Sequence, residues 1–421
     1  MVELPTKHRK PTGLNPMRVL RFNDYRFVWS SEALSLWAVE MEIIVLAIFV
    51  LQDTGSPLLV GLIGALKFAG TMLGPFYGLM VDRFDPKRLQ VAVRAVGLIL
   101  ALTLTTLVVT NTLELWHAYV IVTTGSMIRM LDLVLIQTLT ADAVPSESLH
   151  NAIGLSRSTL DGARVVGALL GGTIFEFIGL DFAYITISVL YLLAAVAALK
   201  VKNRPPAKNI QPQGIKSGLI EGIKYICNSK FLPGLIFFSF LIEFSAFPIV
   251  NGLMTIIGDE LYGLGGTGIG ILASITSLGA LSGAIYLGIR TKLDNPTRTL
   301  IIGSTIWHVI MLALACAPSI WIFGLLLFIW GLSGGITFVA MIVGLLRATE
   351  DTNRGRVMGI RSLGIYGLPL GLMLGGWIAE EYNSTAMIGT LGIIGLLATV
   401  FAYLKWPDLM SKNIKSINKR S

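Results

Sequence analysis

Two acids stand two residues apart in LWAVEMEIIVLAIFVL (36–51), a stretch otherwise apolar enough to lie inside a bilayer. They are Glu40 and Glu42. A bilayer core charges about 3 kcal/mol or more for an ionised side chain, so such groups persist where they pair, line water or carry protons. The same pattern recurs in GSMIRMLDLVLIQ, with Arg129 and Asp132, and in FFSFLIEFSAFP, with Glu243. The chemistry open to these groups is reversible protonation. A carboxylate in a low-dielectric pocket takes up a proton more readily, and a nearby arginine opposes that. The competing reading is a static ion-pair network that fixes helix packing.

Spacing limits which of them can meet. Arg129 and Asp132 are three residues apart, share a helix face, and can pair or address one partner together. Glu40 and Glu42 are about 200° apart on a helix and cannot both enter one cavity. Glu42 continues a seam of small residues, Ser31, Ser35 and Ala38, suited to close packing or a wet face. Glu40 shares a face with Trp29, Ala33 and, less closely, Trp37. The pattern favours Glu40 for a cavity and Glu42 for a partner inside the bundle, without excluding the reverse.

The elements that must hold these residues are membrane spans. The chain has 421 residues, of which 54% are hydrophobic and only 14% charged, and its mean hydropathy is +0.73. Soluble domains carry roughly 25% charged residues. About 20 apolar residues cross a bilayer as a helix. Spans are expected at roughly 27–51, 58–80, 89–110, 117–142, 151–177, 182–199, 231–254, 267–289, 298–315, 319–346, 357–378 and 385–404. An N-terminal segment (1–26), two six-helix bundles (27–199 and 231–404), a linker (200–230) and a basic tail (405–421) follow. The basic start runs directly into a full-length span, with no cleavage-like end of a signal peptide.

The net charge of +8 could suggest nucleic acid, but its distribution argues against that. Lys and Arg fall almost wholly on one side, in the N-terminus, the second loop, the linker, the later loops and the tail. The opposite loops hold Asp53, Glu114, Asp181, Asp259, Glu260, Glu380 and Glu381, and no Lys or Arg. The positive-inside rule then places both termini and the linker in the cytoplasm. An even number of spans agrees with both termini sharing a side. Cys227 and Cys316 fall at opposite faces under this topology, so no disulfide is expected between them. Within the linker, SGLIEGIKYICNSK (217–230) carries Leu219, Ile223 and Ile226 on one face, as a helix lying on the membrane surface would.

Several matches carry no chemistry. GLGGTG (263–268) fits a dinucleotide-binding pattern but has no strand before it and no acidic ribose partner. Asn383-Ser384-Thr385 is a glycosylation sequon only in a eukaryotic secretory route. There is no Walker A stretch, H-E-x-x-H or C-x-x-C, so no cofactor, metal or thiol chemistry is expected, and no catalytic constellation supports an enzyme.

GLMVDRFDPKRL (78–89) resembles the loop signature between spans two and three of the major facilitator superfamily. Gly78, Asp82, Arg83, Lys87 and Arg88 match that signature, and Asp85 stands where many members have glycine. LNPMRVLRFNDYRFVWSSEALS, DTGSPLLVGLIGA, ADAVPSESLHNAIGL, TNRGRVMGIRS and GLPLGLMLGGWIAE are similar to the drug, macrolide and siderophore (enterobactin-exporter-like) branch. GALLGG (167–172) resembles the antiporter signature through Gly167, Gly171 and Gly172, with Ala168 replacing its proline. Span eleven, with Pro369, Gly371, Gly375 and Gly376, looks like its counterpart in the second half.

The resemblance implies an all-α membrane protein of twelve helices in two bundles, a central cavity lined by spans one, four, seven and ten, and alternating access. Three of those four spans carry the embedded charges. Glu40, Glu42, Arg129, Asp132 and Glu243, with Trp37 and Phe247, are therefore expected at the cavity, one or more of the acids coupling to protons. Phe240, Phe244 and Trp330 would suit an apolar substrate. Arg83, Lys87 and Arg88 are expected to latch the cytoplasmic side through acids such as Asp142. Arg157, Asp161 and Arg164 are read as a gate network. Arg94 and Arg361 are placed near cytoplasmic ends, snorkelling or joining the latch. Lys67 would reach an interface or pair with an acid of span one. Ser333 and Thr337 are weaker cavity candidates, and His308 a packing residue. The expected partners are a small amphiphilic molecule, protons and lipid, for a monomer in the inner membrane. An importer, a lipid or siderophore carrier, and a non-transporting receptor or scaffold are the alternatives.

Overall fold

A computed structural model describes residues 16–73, 77, 80, 84–145, 148–202, 215–289, 293–350 and 353–410. Short signals in the loops begin and end its helices. Ser56, Asp85 and Asn295 each precede a proline and accept backbone amides of the following turn, opening α2 (Pro57–Leu66), α3 (Pro86–Val109) and α11 (Pro296–Ala315). A proline in the first helical turn gives up an amide that has no partner there anyway. Asp85 accepts from the amides of Lys87 at 2.8 Å and Arg88 at 3.2 Å. That explains an aspartate in place of the family's glycine. Asn383 caps α15 (Ser384–Lys405) by accepting from Ala386, so its role in this fold is local. In GLGGTG, Gly263 ends α9 (Met254–Tyr262) in the left-handed conformation, and Gly266 begins α10 (Gly266–Ile289).

The first half holds α1 (Asn23–Thr54), α2, α3, α4 (Leu115–Ala143), α5 (Leu149–Phe177) and α6 (Leu180–Leu199). Helix α7 (Ile215–Cys227) lies between the halves in sequence. The second half comprises α8 (Leu232–Ser245), α9, α10, α11, α12 (Ile320–Ala348), α13 (Arg354–Ser362), α14 (Gly367–Glu381) and α15. Helix α1 packs on α5 and α6, and α3 on α4 and α6; in the second half α12 packs on α10 and α11. The halves meet along two seams, α2 against α14 and α5 against α10.

Ten helical stretches among the described residues are long and apolar enough to cross a membrane. The remaining two expected spans differ for identifiable reasons. Helix α5 has 29 residues but carries Arg157, Asp161 and Arg164. Helix α2 stops at Leu66, and a tight turn at Ala69–Leu73 follows it. There Gly70 brings its backbone against α4, with its amide 3.0 Å from the Ser126 hydroxyl.

Two further stretches are discontinuous. The seventh runs from Leu232 to Tyr262, longer than expected, with a wide turn at Ile249–Leu253 just after Pro248. Between α13 and α14 the chain tightens over Leu363–Tyr366. Breaks of this kind free backbone groups that must line a cavity or be covered by neighbours. On α7, Ile220 and Ile223 remain exposed on one face while Ile226 is buried. Glu221 pairs with Arg356 at 2.9 Å, fixing α7 to α13.

Candidate functional site

Helix α1 presents two polar faces to two different neighbours. One face meets α5. The Tyr25 hydroxyl donates to the Ala152 carbonyl at 2.9 Å, the Trp29 indole to the Thr159 hydroxyl at 2.9 Å, and the Ser156 hydroxyl to Glu32 at 2.8 Å. Two turns beyond Glu32 on the same face stands Glu40, buried, against Gly167 of α5. A Cβ on Gly167 would come within 3.0 Å of the Glu40 Cβ, so the glycine allows the acid to sit against the neighbouring backbone. One carboxylate oxygen of Glu40 lies 3.8 Å from Arg129 of α4 and 3.8 Å from Arg164 of α5. Three helices therefore meet at one acid.

Around that acid the partners are more open than the acid itself. The Arg129 and Arg164 side chains are 29% and 43% exposed, against 11% for Glu40. Arg164 also lies 3.9 Å from Asp161, which holds Arg157 at 3.2 Å. The gate network read from spacing is thus continuous with the central acid.

The opposite face of α1 meets α3. Arg94 is buried, donates to Ser31 at 3.0 Å and Ser35 at 3.1 Å, and pairs with Asp132 at 2.7 Å. Two expectations are corrected here. Arg94 does not snorkel; it has partners inside the bundle. Asp132 is taken by Arg94 of α3 at 2.7 Å, while Arg129 reaches Glu40 of α1 at 3.8 Å, so each charge of the pair is answered from a different helix. The small-residue seam of Ser31, Ser35 and Ala38 is buried packing, with its hydroxyls serving Arg94.

Glu42 lies away from Glu40, within electrostatic reach of Lys67, where α2 breaks, and of Arg129. Lys67 in turn senses both acids. Trp37 is half-buried on α1.

In the second half Glu243 is buried on α8, within reach of Arg361 of α13 and of Arg164 from the other half. Arg361 stacks its guanidinium 5.2 Å from the Phe338 ring centre. Phe247 packs edge-on to Trp307 at 6.0 Å and beside Phe338 at 5.9 Å, in a cluster completed by Trp330. Phe240 stacks on Phe244 at 5.9 Å. Trp330, Ser333 and Thr337 are buried, with Ser333 donating to the Gly303 carbonyl. They pack α12 on α11. His308 is buried between the Ser245 hydroxyl at 2.8 Å and the Ser304 carbonyl at 2.7 Å.

Two participants were not anticipated. Glu32 stands eight residues before Glu40 on the same face, and that spacing is the signal that points to it. Arg361 stands in the last turn of α13, and what its position along the chain does not show is that it comes within electrostatic reach of Glu243.

Of the loop signature, Gly78, Asp82 and Arg83 lie outside the described residues. Lys87 and Asp142 border one recess with Asp24 and Lys202, where Lys202 lies 3.8 Å from Asp24. Gly171 meets the Met41 backbone of α1, and Gly172 meets the Gly266 carbonyl of α10 in the other half.

Known proteins agree with this architecture. The family model of the Major Facilitator Superfamily matches residues 28–289 and 236–419. Macrolide efflux protein A of Streptococcus pyogenes is 23% identical over 300 residues, 68% of this chain and 72% of that protein. Multi-drug resistance efflux pump PmrA of Streptococcus pneumoniae is 23% identical over 359 residues, 83% of this chain and 86% of the pump. Among solved structures, the nucleoside transporter NupG superposes with a TM-score of 0.69 at 14% identity, covering 92% of this chain and 99% of that one. With matches that span nearly the whole sequence, this multi-pass membrane protein belongs to the Major Facilitator Superfamily of transporters.

Proposed function

We propose that the chain is a twelve-span, proton-coupled exporter of a small amphiphilic organic compound, working by alternating access as a monomer in the inner membrane. Both termini face the cytoplasm in this reading. The observation that supports it most is Glu40, one buried acid between two partly exposed arginines from different helices. Glu40, Arg129 and Arg164 all belong to the first half, so rocking of the halves leaves this cluster together and changes how far it is open to each side of the membrane. Glu243 is the counterpart in the second half, within electrostatic reach of the same Arg164. Export is favoured over import by the relatives, which are efflux proteins. The fused aromatic surface of Phe240 and Phe244 suits an apolar substrate. Flux of a fluorescent cationic dye into or out of proteoliposomes under an imposed pH gradient tests the reading. Dye movement that ignores the gradient would remove proton coupling, and no movement for any of a panel of dyes, macrolides and siderophores would remove export of this substrate class.

A further inference from the structure

Three glutamates at the end of the molecule carrying the acidic loops each accept from the first backbone amides of a helix. Glu380, in the last turn of α14, accepts from the Leu58 amide at 2.9 Å and from the Ser56 hydroxyl, at the start of α2. Glu176, in the last turn of α5, accepts from the Thr267 amide at 2.6 Å, at the start of α10. Glu260, near the end of α9, accepts from the Ser384 amide at 3.0 Å and its hydroxyl at 2.6 Å, at the start of α15. In each case a carboxylate meets the positive end of a helix through charge-assisted hydrogen bonds.

Their connectivity separates them. Glu260 joins two helices of the second half. Glu380 and Glu176 each join one half to the other, and the two are related by exchanging the halves. A second-half helix clamps the start of a first-half helix, and a first-half helix clamps the start of a second-half one.

The sequence repeats this relation. GGTIFE (171–176) and GGWIAE (375–380) share Gly-Gly-x-Ile-x-Glu. In each, the second glycine lies one turn before the glutamate. A Cβ on Gly172 would run into the Gly266 carbonyl, and one on Gly376 would come within 2.9 Å of the Pro57 carbonyl and 3.1 Å of the Leu58 Cα. Close approach of the backbones and reach of the carboxylate are thus supplied by the same six residues, twice. Among the described residues, the hydrogen bonds joining the halves are these and one other, from the Ser274 hydroxyl to the Val165 carbonyl on the same α5–α10 seam.

We propose that Gly-Gly-x-Ile-x-Glu is a duplicated gate latch that holds this end of the transporter closed. The glycines seat the two seams, the glutamates clamp the opposing helix starts, and both clamps release when this end opens. The inference rests on the alternating-access reading, and its test is independent of flux.

In full-length protein with Cys227 and Cys316 replaced by serine, spin labels at Asp53→Cys and Tyr382→Cys report the separation of the halves at this end. Pulsed electron-spin distance measurements in nanodiscs should show longer distances for E176Q and for E380Q, and more so for the double variant. Loss of a charge-assisted bond predicts about a tenfold rise in the open-to-closed ratio for each. E260Q, the same chemistry within one half, should leave the distances unchanged. An unshifted double variant, or an equal shift in E260Q, would overturn the latch. Should the glutamate variants not fold, S56A carries the test, and an unshifted distribution there would also overturn it. A shift in protein that moves no substrate would leave the latch standing and remove the transport reading; normal flux without a shift would do the reverse.

Discussion

Arg94 and Asp132 form a 2.7 Å ion pair between α3 and α4, with Arg94 also held by Ser31 and Ser35 of α1. Three helices of the first half therefore share one buried guanidinium. Removing one partner of a buried pair strands the other, at a cost of about 3–5 kcal/mol. Arg94→Leu should lower the thermal unfolding midpoint markedly. D132N, which retains an acceptor for Arg94, should cost less. A double variant, R94L with D132L, should recover part of the loss because no charge is stranded. Equal midpoints for all three variants and the parent would show that the pair does not stabilise the half.

Glu40 has a different predicted role from Asp132. It is approached by two partly exposed arginines at 3.8 Å, a longer and more open arrangement than the Arg94 pair. E40Q should abolish the dependence of flux on the pH gradient while changing the unfolding midpoint little. R164Q should weaken the coupling without erasing it, since Arg129 remains. E42Q serves as the comparison: Glu42 lies within electrostatic reach of Lys67 at a helix break, and gradient-driven flux should survive in it. Coupling lost in E42Q and kept in E40Q would exchange the two assignments.

The spacing of residues gave the half of the site that lies along single helices. Arg157, Asp161 and Arg164 fall on one face by periodicity and are found paired. His308 is a packing residue in the structure as the sequence suggests. Periodicity says nothing about which neighbouring helix a face meets, and there the reading failed. Arg94 looked like a helix-end charge because its hydroxyl partners and its acid come from α1 and α4. Glu176 falls inside the expected fifth span and Glu380 in an acidic loop, and neither position alone points to a partner. Only the seams α5–α10 and α2–α14 show what they touch.

Gly172 offers a steric test of the α5–α10 seam. A side chain there would collide with the Gly266 carbonyl across the interface, and closed helix backs leave no room to relax. Gly172→Val should reduce flux about tenfold or more, as expected when about 1.4 kcal/mol or more is added to the closed state. Gly162, where an added Cβ meets nothing within 4 Å, is the control, and Gly162→Ala should transport normally. Measured initial rates in proteoliposomes decide it: a fully active Gly172→Val would mean that this seam never needs to close.

The two free cysteines, both exposed, allow the topology to be tested without engineering. Cys227 ends α7, among the basic segments, and Cys316 follows α11 at the acidic end. The charge asymmetry places the first in the cytoplasm and the second outside. A membrane-impermeant maleimide applied to intact cells should label Cys316 alone, and Cys227 should react only after permeabilisation. With C316S, labelling of intact cells should vanish; with C227S it should persist. Labelling of Cys227 from outside would invert the orientation, and with it the assignment of the glutamate-clamped end to the external face.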